Sequence, residues 1–136
     1  MLLVDCQPSL GLLTVNALTA AHGVIVPLET EFFALRGVAL LLETIEKVRD
    51  RLNPRLRTDG ILATMYDGRT LHSREVLTRV REAFGDDVFK TVIGRTIKFP
   101  DASVATEPIT TYASSHAGAL AYRTLARELI ARGDVA

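Results

Sequence analysis

The chain has 136 residues and a mass of 14.9 kDa, which is the size of one ordinary domain. Hydrophobic residues make up 48% of it and charged residues 24%, a composition typical of a globular rather than a disordered protein. The 16 basic side chains balance the 16 acidic ones, which excludes an overall attraction to nucleic acid or to an anionic membrane and leaves only a local patch for such binding.

Three further features exclude classes of protein. Cys6 is the single cysteine, which excludes an intramolecular disulfide and a multi-cysteine zinc site. No segment reaches the roughly 18 uninterrupted apolar residues of a membrane span, so no membrane partner is predicted. Because Asp5 follows Met1 too closely for a signal peptide, we predict a cytoplasmic protein.

The first third of the chain predicts strand, helix and strand. Residues 2–4 are an apolar run that ends before Pro8, which predicts a buried strand opening into a loop. Dense apolar residues over 10–21 predict a short buried helix. Residues 24–26 then predict a second strand, closed by Pro27.

The clearest helix follows over residues 35–52. Its apolar side chains recur at three- and four-residue steps, with charged residues on the other face, and Asn53 and Pro54 end it. Residues 60–65 predict a third strand, followed by an Asp-Gly turn at 67–68.

The remaining elements repeat this alternation. We predict a helix over 76–84 ended by Gly85, a fourth strand over 88–93, a loop, and a final helix over 117–132 capped by Gly133. Apolar strands that alternate with helices predict an α/β fold, in which a mostly parallel sheet is flanked by helices on both faces. No linker divides the chain, so residues 1–136 are predicted to be one domain.

In such sheets ligands bind beyond the carboxyl ends of the strands. The loops predicted there are residues 5–9, 27–32, 66–70 and 94–100. An Asp at the end of an apolar strand, before a Pro-Ser loop and a helix, is how many nucleotide hydrolases hold magnesium beside phosphate oxygens. A strand-terminal Asp is also a common capping or turn residue, so Asp5 by itself leaves both interpretations open.

Four segments, residues 5–21, 27–37, 62–70 and 88–95, resemble one known family in the same order and at matching separations. The first, DCQPSLGLLTVNALTAA, resembles the Walker B and switch II region of the ParA/Soj family of chromosome- and plasmid-partitioning ATPases. The resemblance implies the C-terminal half of a P-loop NTPase fold of the Rossmann-like SIMIBI class, beginning at the Walker B strand. It further implies a cytoplasmic ATPase that binds Mg-ATP between two subunits, binds DNA non-specifically as a dimer, and is stimulated by a ParB-type partner.

The resemblance also implies roles for residues near the magnesium ion and the γ-phosphate. Asp5 matches the Walker B aspartate, which would hold magnesium through water. Pro8 and Ser9 match switch II, the loop that responds to the γ-phosphate.

Other matching positions lie on the adenine and DNA sides. Met65, Gly94 and Arg95 match the side that packs on adenine, although relatives more often have Pro at the position of Gly94. Arg69 and Lys98 match positions that carry basic, DNA-contacting residues in relatives.

Departures from the family pattern limit these expectations. These 136 residues contain no phosphate-binding motif of the form K-G-G-x-G-K-[ST], which in the family lies upstream of Walker B, as does the catalytic aspartate. Phosphates need a nest of backbone N–H groups and a lysine, so we predict that this chain alone neither hydrolyses ATP nor binds Mg-ATP tightly. Residues 100–104 replace the family's Ser-Glu-Ala-Pro-Ser and Glu107 replaces a basic residue, which weakens the predicted DNA affinity.

The charge distribution bears on DNA binding independently of the family. Residues 36–98 hold 13 basic and 9 acidic side chains, whereas residues 1–35 hold no basic and 3 acidic ones. The basic residues that could converge on one sheet edge and contact phosphates are Arg69, Arg74, Arg95 and Lys98. An equally good interpretation is that the arginines around position 74 solvate a helix face beside glutamates.

Two functions from different classes follow. In the first, the chain is an incomplete ParA-type partitioning ATPase, weakly DNA-binding and nucleoid-associated if that binding is retained. In the second, it is a non-catalytic interaction module that pairs with a full-length ParA-like protein. In either case an exposed sheet edge predicts self-association, or pairing with a ParA-like second half.

Overall fold

A computed structural model describes residues 1–7, 9–31 and 34–133 of the chain. Two parallel strands and their flanking helices form its framework. The elements in chain order are α1 (Leu12–Ala20), β1 (Gly23–Glu29), α2 (Ala34–Arg51), β2 (Arg57–Thr64), α3 (Leu71–Phe84), a 3-10 turn (Gly85–Asp87), α4 (Lys98–Val104), α5 (Ile109–Tyr112) and α6 (Ala117–Arg132).

The strands β1 and β2 lie side by side in parallel. Their register runs from Gly23 opposite Arg57 to Glu29 opposite Thr64, with one irregularity between Val24 and Ile25. A parallel pair needs a long crossover connection, which α2 provides. This confirms the predicted parallel sheet and the predicted helix between the second and third strands.

Helices cover both faces of this sheet, as predicted. On one face, α1, α2 and α3 pack against Val26, Leu28 and Ile61, which are all nearly inaccessible to solvent. On the other face, α6 packs against Leu62 and Ile25. Neighbouring residues of a strand point to opposite faces of the sheet. Because helices cover both faces, apolar residues are needed at successive positions, and β2 has such a continuous apolar run.

The predicted fourth strand over 88–93 is wrong as a regular strand. The N–H of Phe89 donates to the carbonyl of Ile61 at 2.9 Å, and the N–H of Ile93 donates to the carbonyl of Ala63 at 2.9 Å. Between these two bonds β2 advances by two residues and the other segment by four. The segment therefore bulges away from β2, and only isolated bridges remain at its ends.

The predicted strand over 2–4 is also wrong. Leu2, Leu3 and Val4 have no regular secondary structure and are 87%, 78% and 60% exposed. A strand needs the backbone of a neighbouring strand for its hydrogen bonds. Among the described residues the sheet consists of β1 and β2, which pair with each other, so residues 2–4 are not part of it.

Two element boundaries also differ from the prediction. Pro27 does not close β1 but lies inside it, opposite Leu62. Proline lacks an N–H and is tolerated in an edge strand, which is the position of β1 in the described sheet. The region predicted as a loop after the fourth strand contains the short helices α4 and α5.

Other predicted helices are confirmed. The helix ended by Gly85 extends to Leu71 at its start, where Thr70 caps it by accepting the N–H of Ser73. The final helix ends at Gly133, which adopts the left-handed conformation with φ of 76°. In the described part of the chain, no helix combines the length and the hydropathy that a membrane span requires.

Candidate functional site

The loops after β1 and β2 meet at the carboxyl edge of the sheet. Thr30, directly after β1, donates its N–H to the carbonyl of Thr64 at 3.2 Å. The hydroxyl of Thr30 is buried and lies 3.2 Å from that of Ser73 in α3. Because both hydroxyls are buried and hydrogen-bonded to each other, they tie α3 to the ends of the two strands.

The three residues predicted to pack on adenine are brought together at this edge. The N–H of Tyr66 donates to the carbonyl of Ile93 at 3.1 Å, and the N–H of Arg95 donates back to the carbonyl of Tyr66 at 2.9 Å. These bonds hold Met65 beside the Gly94–Arg95 pair. Met65 is 38% exposed and has φ of 52°, an uncommon backbone conformation for a non-glycine residue that often marks a functional loop.

A turn at Asp67 presents Arg69, one of the two predicted DNA contacts. The carboxylate of Asp67 accepts hydrogen bonds from Nε and Nη2 of Arg69, both at 2.9 Å, and from its backbone N–H at 3.1 Å. These bonds, with the nearby charge of Arg95, lower the pKa of Asp67 to about 2. The sequence predicted only a turn here. The spacing of Asp and Arg two residues apart is the available signal, since an Asp in a turn accepts the N–H two residues on.

Lys98, the second predicted DNA contact, also has an acidic neighbour. It is the first residue of α4, and its Nζ lies 3.5 Å from Oδ2 of Asp101. Each of the two predicted contacts therefore already has a carboxylate beside it.

The residues predicted to act near magnesium lie in the segment that precedes α1. Asp5 is exposed in a segment without regular secondary structure, and Ser9 is exposed with its carbonyl accepting a hydrogen bond from the Thr14 hydroxyl at 2.6 Å. Pro8 lies outside the described residues. The described residues contain no group of three or more His, Cys, Asp or Glu side chains that could hold a metal.

The described residues thus fit the two sides of Mg-ATP differently. The loops predicted to face adenine are joined to each other by backbone hydrogen bonds. The phosphate and magnesium side is incomplete, because these 136 residues contain no phosphate-binding motif and their described part contains no group of three or more His, Cys, Asp or Glu side chains that could hold a metal.

A carboxylate that the sequence analysis missed holds the bulge beside β2. Glu128 of α6 accepts the N–H groups of Lys90 at 2.7 Å and Thr91 at 2.9 Å, and the Thr91 hydroxyl at 2.7 Å. Burial opposes its ionisation, but these hydrogen bonds and one from Arg132 outweigh it, and the pKa of Glu128 falls to about 2. Glu128 therefore satisfies the backbone groups that the bulge withdraws from β2.

Arg132 completes this arrangement from the next turn of α6. It donates to Glu128 at 3.2 Å and to the carbonyl of Val88 at 3.1 Å, and its guanidinium lies 4.4 Å from the ring centre of Phe89. A Glu and an Arg four residues apart on a helix were visible in the sequence, but that spacing alone suggests only a surface pair. The two side chains fix the segment that leads to Gly94 and Arg95.

The fold, taken with its structural neighbours, defines the class of the protein as an α/β protein of the P-loop NTPase type. A family model described as an AAA domain matches residues 1–58. The crystal structure of cobyrinic acid a,c-diamide synthase from Mycobacterium smegmatis with bound ATP analog and magnesium is similar, with a TM-score of 0.75 and 44% identity. The similarity covers 93% of this chain and 45% of that one.

Sequence relatives define the family. The chain is 52% identical to the chromosome-partitioning ATPase Soj of Thermus thermophilus, over 97% of this chain and 53% of the relative. It is 50% identical to the chromosome partitioning protein ParA of Caulobacter vibrioides, over 96% of this chain and 49% of the relative. An uncharacterized protein of Mycobacterium tuberculosis is 68% identical, over 96% of this chain and 41% of the relative.

The chain belongs to the ParA/Soj family. It spans about half the length of the curated relatives that it matches.

Proposed function

We propose that this chain acts in ATP-dependent segregation of chromosomes or plasmids, as part of a ParA-type partitioning protein in the cytoplasm. The observation that carries the proposal is identity of 50–52% to ParA and Soj along nearly the whole chain. The identity to the cobyrinic acid a,c-diamide synthase is lower, at 44%. The tethered loops at the carboxyl edge support the proposal, because ligands of open α/β sheets bind there.

In this proposal Mg-ATP belongs to the complete fold, and the chain contributes one side of its site. Met65, Gly94 and Arg95 would face the adenine, and the hydrogen bonds of Tyr66 with Ile93 and Arg95 already fix the backbone around them. Asp5 would hold magnesium through water, with Pro8 and Ser9 in the γ-phosphate-responsive loop, once a phosphate-binding half is present.

The test of this division uses the chain with and without a phosphate-binding half. We expect no ATP hydrolysis by the purified chain, because it has no P-loop lysine to neutralise transferring phosphate. We expect hydrolysis to appear when the P-loop half of the Thermus Soj relative is added as a separate polypeptide. Hydrolysis by the chain alone would contradict the proposal. Stable pairing of the two halves without hydrolysis would favour the non-catalytic interaction module instead.

We also propose weak, non-specific DNA binding by the edge that carries Arg69 and Lys98, with Arg95 nearby. Arg69 is 90% exposed on its side chain and Lys98 42%, so both can reach a phosphate backbone. Fluorescence anisotropy with a random-sequence duplex should show binding that weakens with salt, with a slope of about −0.9 per phosphate contacted. The Arg69→Ala, Lys98→Ala double variant should bind more weakly and with a shallower slope. Equal binding by the double variant would remove this edge as the DNA surface.

The last part of the proposal concerns partners. We propose that the chain associates with a second copy of itself or with a ParA-like second half, and that a ParB-type protein stimulates the complete protein. Large apolar side chains that precede β1 in the chain are exposed, namely Met1, Leu2, Leu3, Val4, Leu12 and Leu13. Surfaces of this kind mark interaction sites. Light scattering of the purified chain should give a mass above 14.9 kDa, and a strictly monomeric, cooperatively folding chain would contradict this part.

A further inference from the structure

The ion pair between Asp67 and Arg69 has a geometry that bears on how the chain would bind phosphates. Nε and Nη2 of Arg69 both donate to the Asp67 carboxylate at 2.9 Å, as a two-pronged fork. A guanidinium presents the same fork to a phosphate group. Asp67 and a DNA phosphate therefore compete for the same two donors.

The two partners differ in how firmly they are held. Asp67 is 22% exposed on its side chain, whereas Arg69 is 90% exposed. The carbonyl of Asp67 accepts the N–H and the hydroxyl of Thr70, each at 3.0 Å, which fixes the backbone of the turn. The carboxylate is thus the anchored partner, and the long Arg69 side chain is the one free to change partner.

Arg95 places a second positive charge near the same carboxylate, without an ion pair to it among the described contacts. Its charge contributes to the lowered pKa of Asp67, and its backbone N–H is fixed on the carbonyl of Tyr66. Asp67 remains ionised at neutral pH and keeps a cationic neighbour when Arg69 leaves it. Release of Arg69 therefore does not strand an isolated buried charge.

We propose that Asp67 is an internal competitor for DNA phosphate, which occupies the Arg69 guanidinium in the free protein and sets its affinity for DNA. The inference rests on the proposed DNA-binding function and concerns this one edge. Binding exchanges the Asp67–Arg69 pair for an Arg69–phosphate pair, and Asp67 lowers the net gain of that exchange.

The test is a double-mutant cycle on DNA affinity in low salt. Asp67→Asn removes the charge and should tighten binding about two- to fivefold, the range expected for one exposed ion pair. In the Arg69→Ala background the same substitution should change the affinity by less than about 1.5-fold, because the competing donors are gone. Asp67→Ser is the second variant, since its hydroxyl can keep the turn while the charge is lost.

The matched control removes one negative charge elsewhere. Asp86 lies in the 3-10 turn at the far end of α3, about 20 Å away along a 14-residue helix. Asp86→Asn should tighten binding by less than about 1.5-fold, because exposed charges at that distance are largely screened. Thermal unfolding of each variant checks that it is folded.

The possible outcomes distinguish failure of the Asp67 inference from failure of the proposed DNA binding. Equal gains from Asp67→Asn and Asp86→Asn, or a gain that persists in the Arg69→Ala background, would overturn the inference and leave DNA binding intact. Weaker binding by both Asp67 variants would also overturn it, because Asp67 would then orient Arg69 toward DNA. No binding by any variant, wild type included, would overturn the proposed DNA binding and the inference together.

Discussion

The two long borders of the described sheet differ in whether the neighbouring backbone is held by hydrogen bonds. Along one border of β2, the segment from Val88 to Gly94 is bulged, yet Glu128 and Arg132 supply the hydrogen bonds that the bulge withdraws. The outer border of β1 pairs with no strand among the described residues, and the apolar run predicted as a strand over 2–4 has no regular structure and is exposed. Irregular backbone is stable where side chains satisfy its polar groups, and an apolar sequence alone does not make a strand.

The largest expected effect comes from removing the core side chain at the bulged border. Phe89 is fully buried beneath Arg132. Phe89→Ala should lower the free energy of unfolding by about 3–5 kcal/mol, since it leaves a cavity and removes the ring beneath the guanidinium. Urea denaturation measures it, with Ile97→Ala as the control because Ile97 is 75% exposed. Equal losses from the two variants would contradict a buried role for Phe89.

The second largest loss of stability is expected when the carboxylate that holds the bulge is removed. Glu128→Gln should destabilise the fold by about 2–3 kcal/mol, because a charged acceptor of several hydrogen bonds is replaced by a neutral amide. Glu46→Gln, in an exposed pair with Arg49, is the matched control and should change stability by less than about 0.5 kcal/mol.

The same carboxylate predicts a pH dependence. The pKa of Glu128 is about 2 in the fold, against an ordinary value of 4.5. A lowered pKa means that the stabilisation is fully present above about pH 4.5 and is lost as the pH falls toward 2. Unfolding curves between these limits should show a steeper loss of stability for wild type than for Glu128→Gln. Parallel pH profiles would contradict this contribution.

A smaller effect is expected at the glycine that faces the bulge. Gly60 has φ of 153°, and a Cβ there would lie 2.7 Å from the ring of Phe89 and 3.0 Å from the carbonyl oxygen of Asp87. Gly60→Ala should cost about 1–3 kcal/mol through backbone strain and crowding. Gly37→Ala is the control, because its Cβ would meet nothing within 4 Å and alanine favours a helix by about 1 kcal/mol. If Gly60→Ala left the free energy of unfolding unchanged, the surrounding atoms would be able to move away from the added Cβ.

The smallest effect on stability is expected in the exposed apolar run at residues 1–4. Replacing Leu2 and Leu3 together by Ser should change the free energy of unfolding by less than about 0.5 kcal/mol, because both are exposed. The same variant should lower the mass measured by light scattering if these side chains mediate self-association. A stability loss above about 1 kcal/mol, measured where the protein is monomeric, would instead place them inside the fold.

The two borders also separate what sequence patterns could predict from what they could not. The helices α2 and α6 were predicted in nearly correct places and α3 over its last nine residues, because helical hydrogen bonds are local and the apolar period is visible in the chain. The strand at residues 2–4 and the regular strand over 88–93 were wrong, because a strand's hydrogen bonds come from elsewhere in the chain.

The candidate site divides in the same way. Its family motifs could be read along the chain, and they led to Met65, Gly94 and Arg95, which the fold brings together. The partners of the site could not be read. Glu128 looked like a surface charge, and its role depends on distant donors that the fold places around it. Asp67 looked like a turn residue, although its partner Arg69 lies only two positions away.

The sequence by itself therefore determined the α/β alternation, the family and the position of the edge where ligands would bind. Tertiary structure decided which apolar run becomes a strand and which carboxylate supports the bulge. The physical reason is distance along the chain. Periodicity and turns are set by neighbours in sequence, whereas sheet pairing joins residues far apart. The Glu128 contacts likewise span 37 and 38 positions.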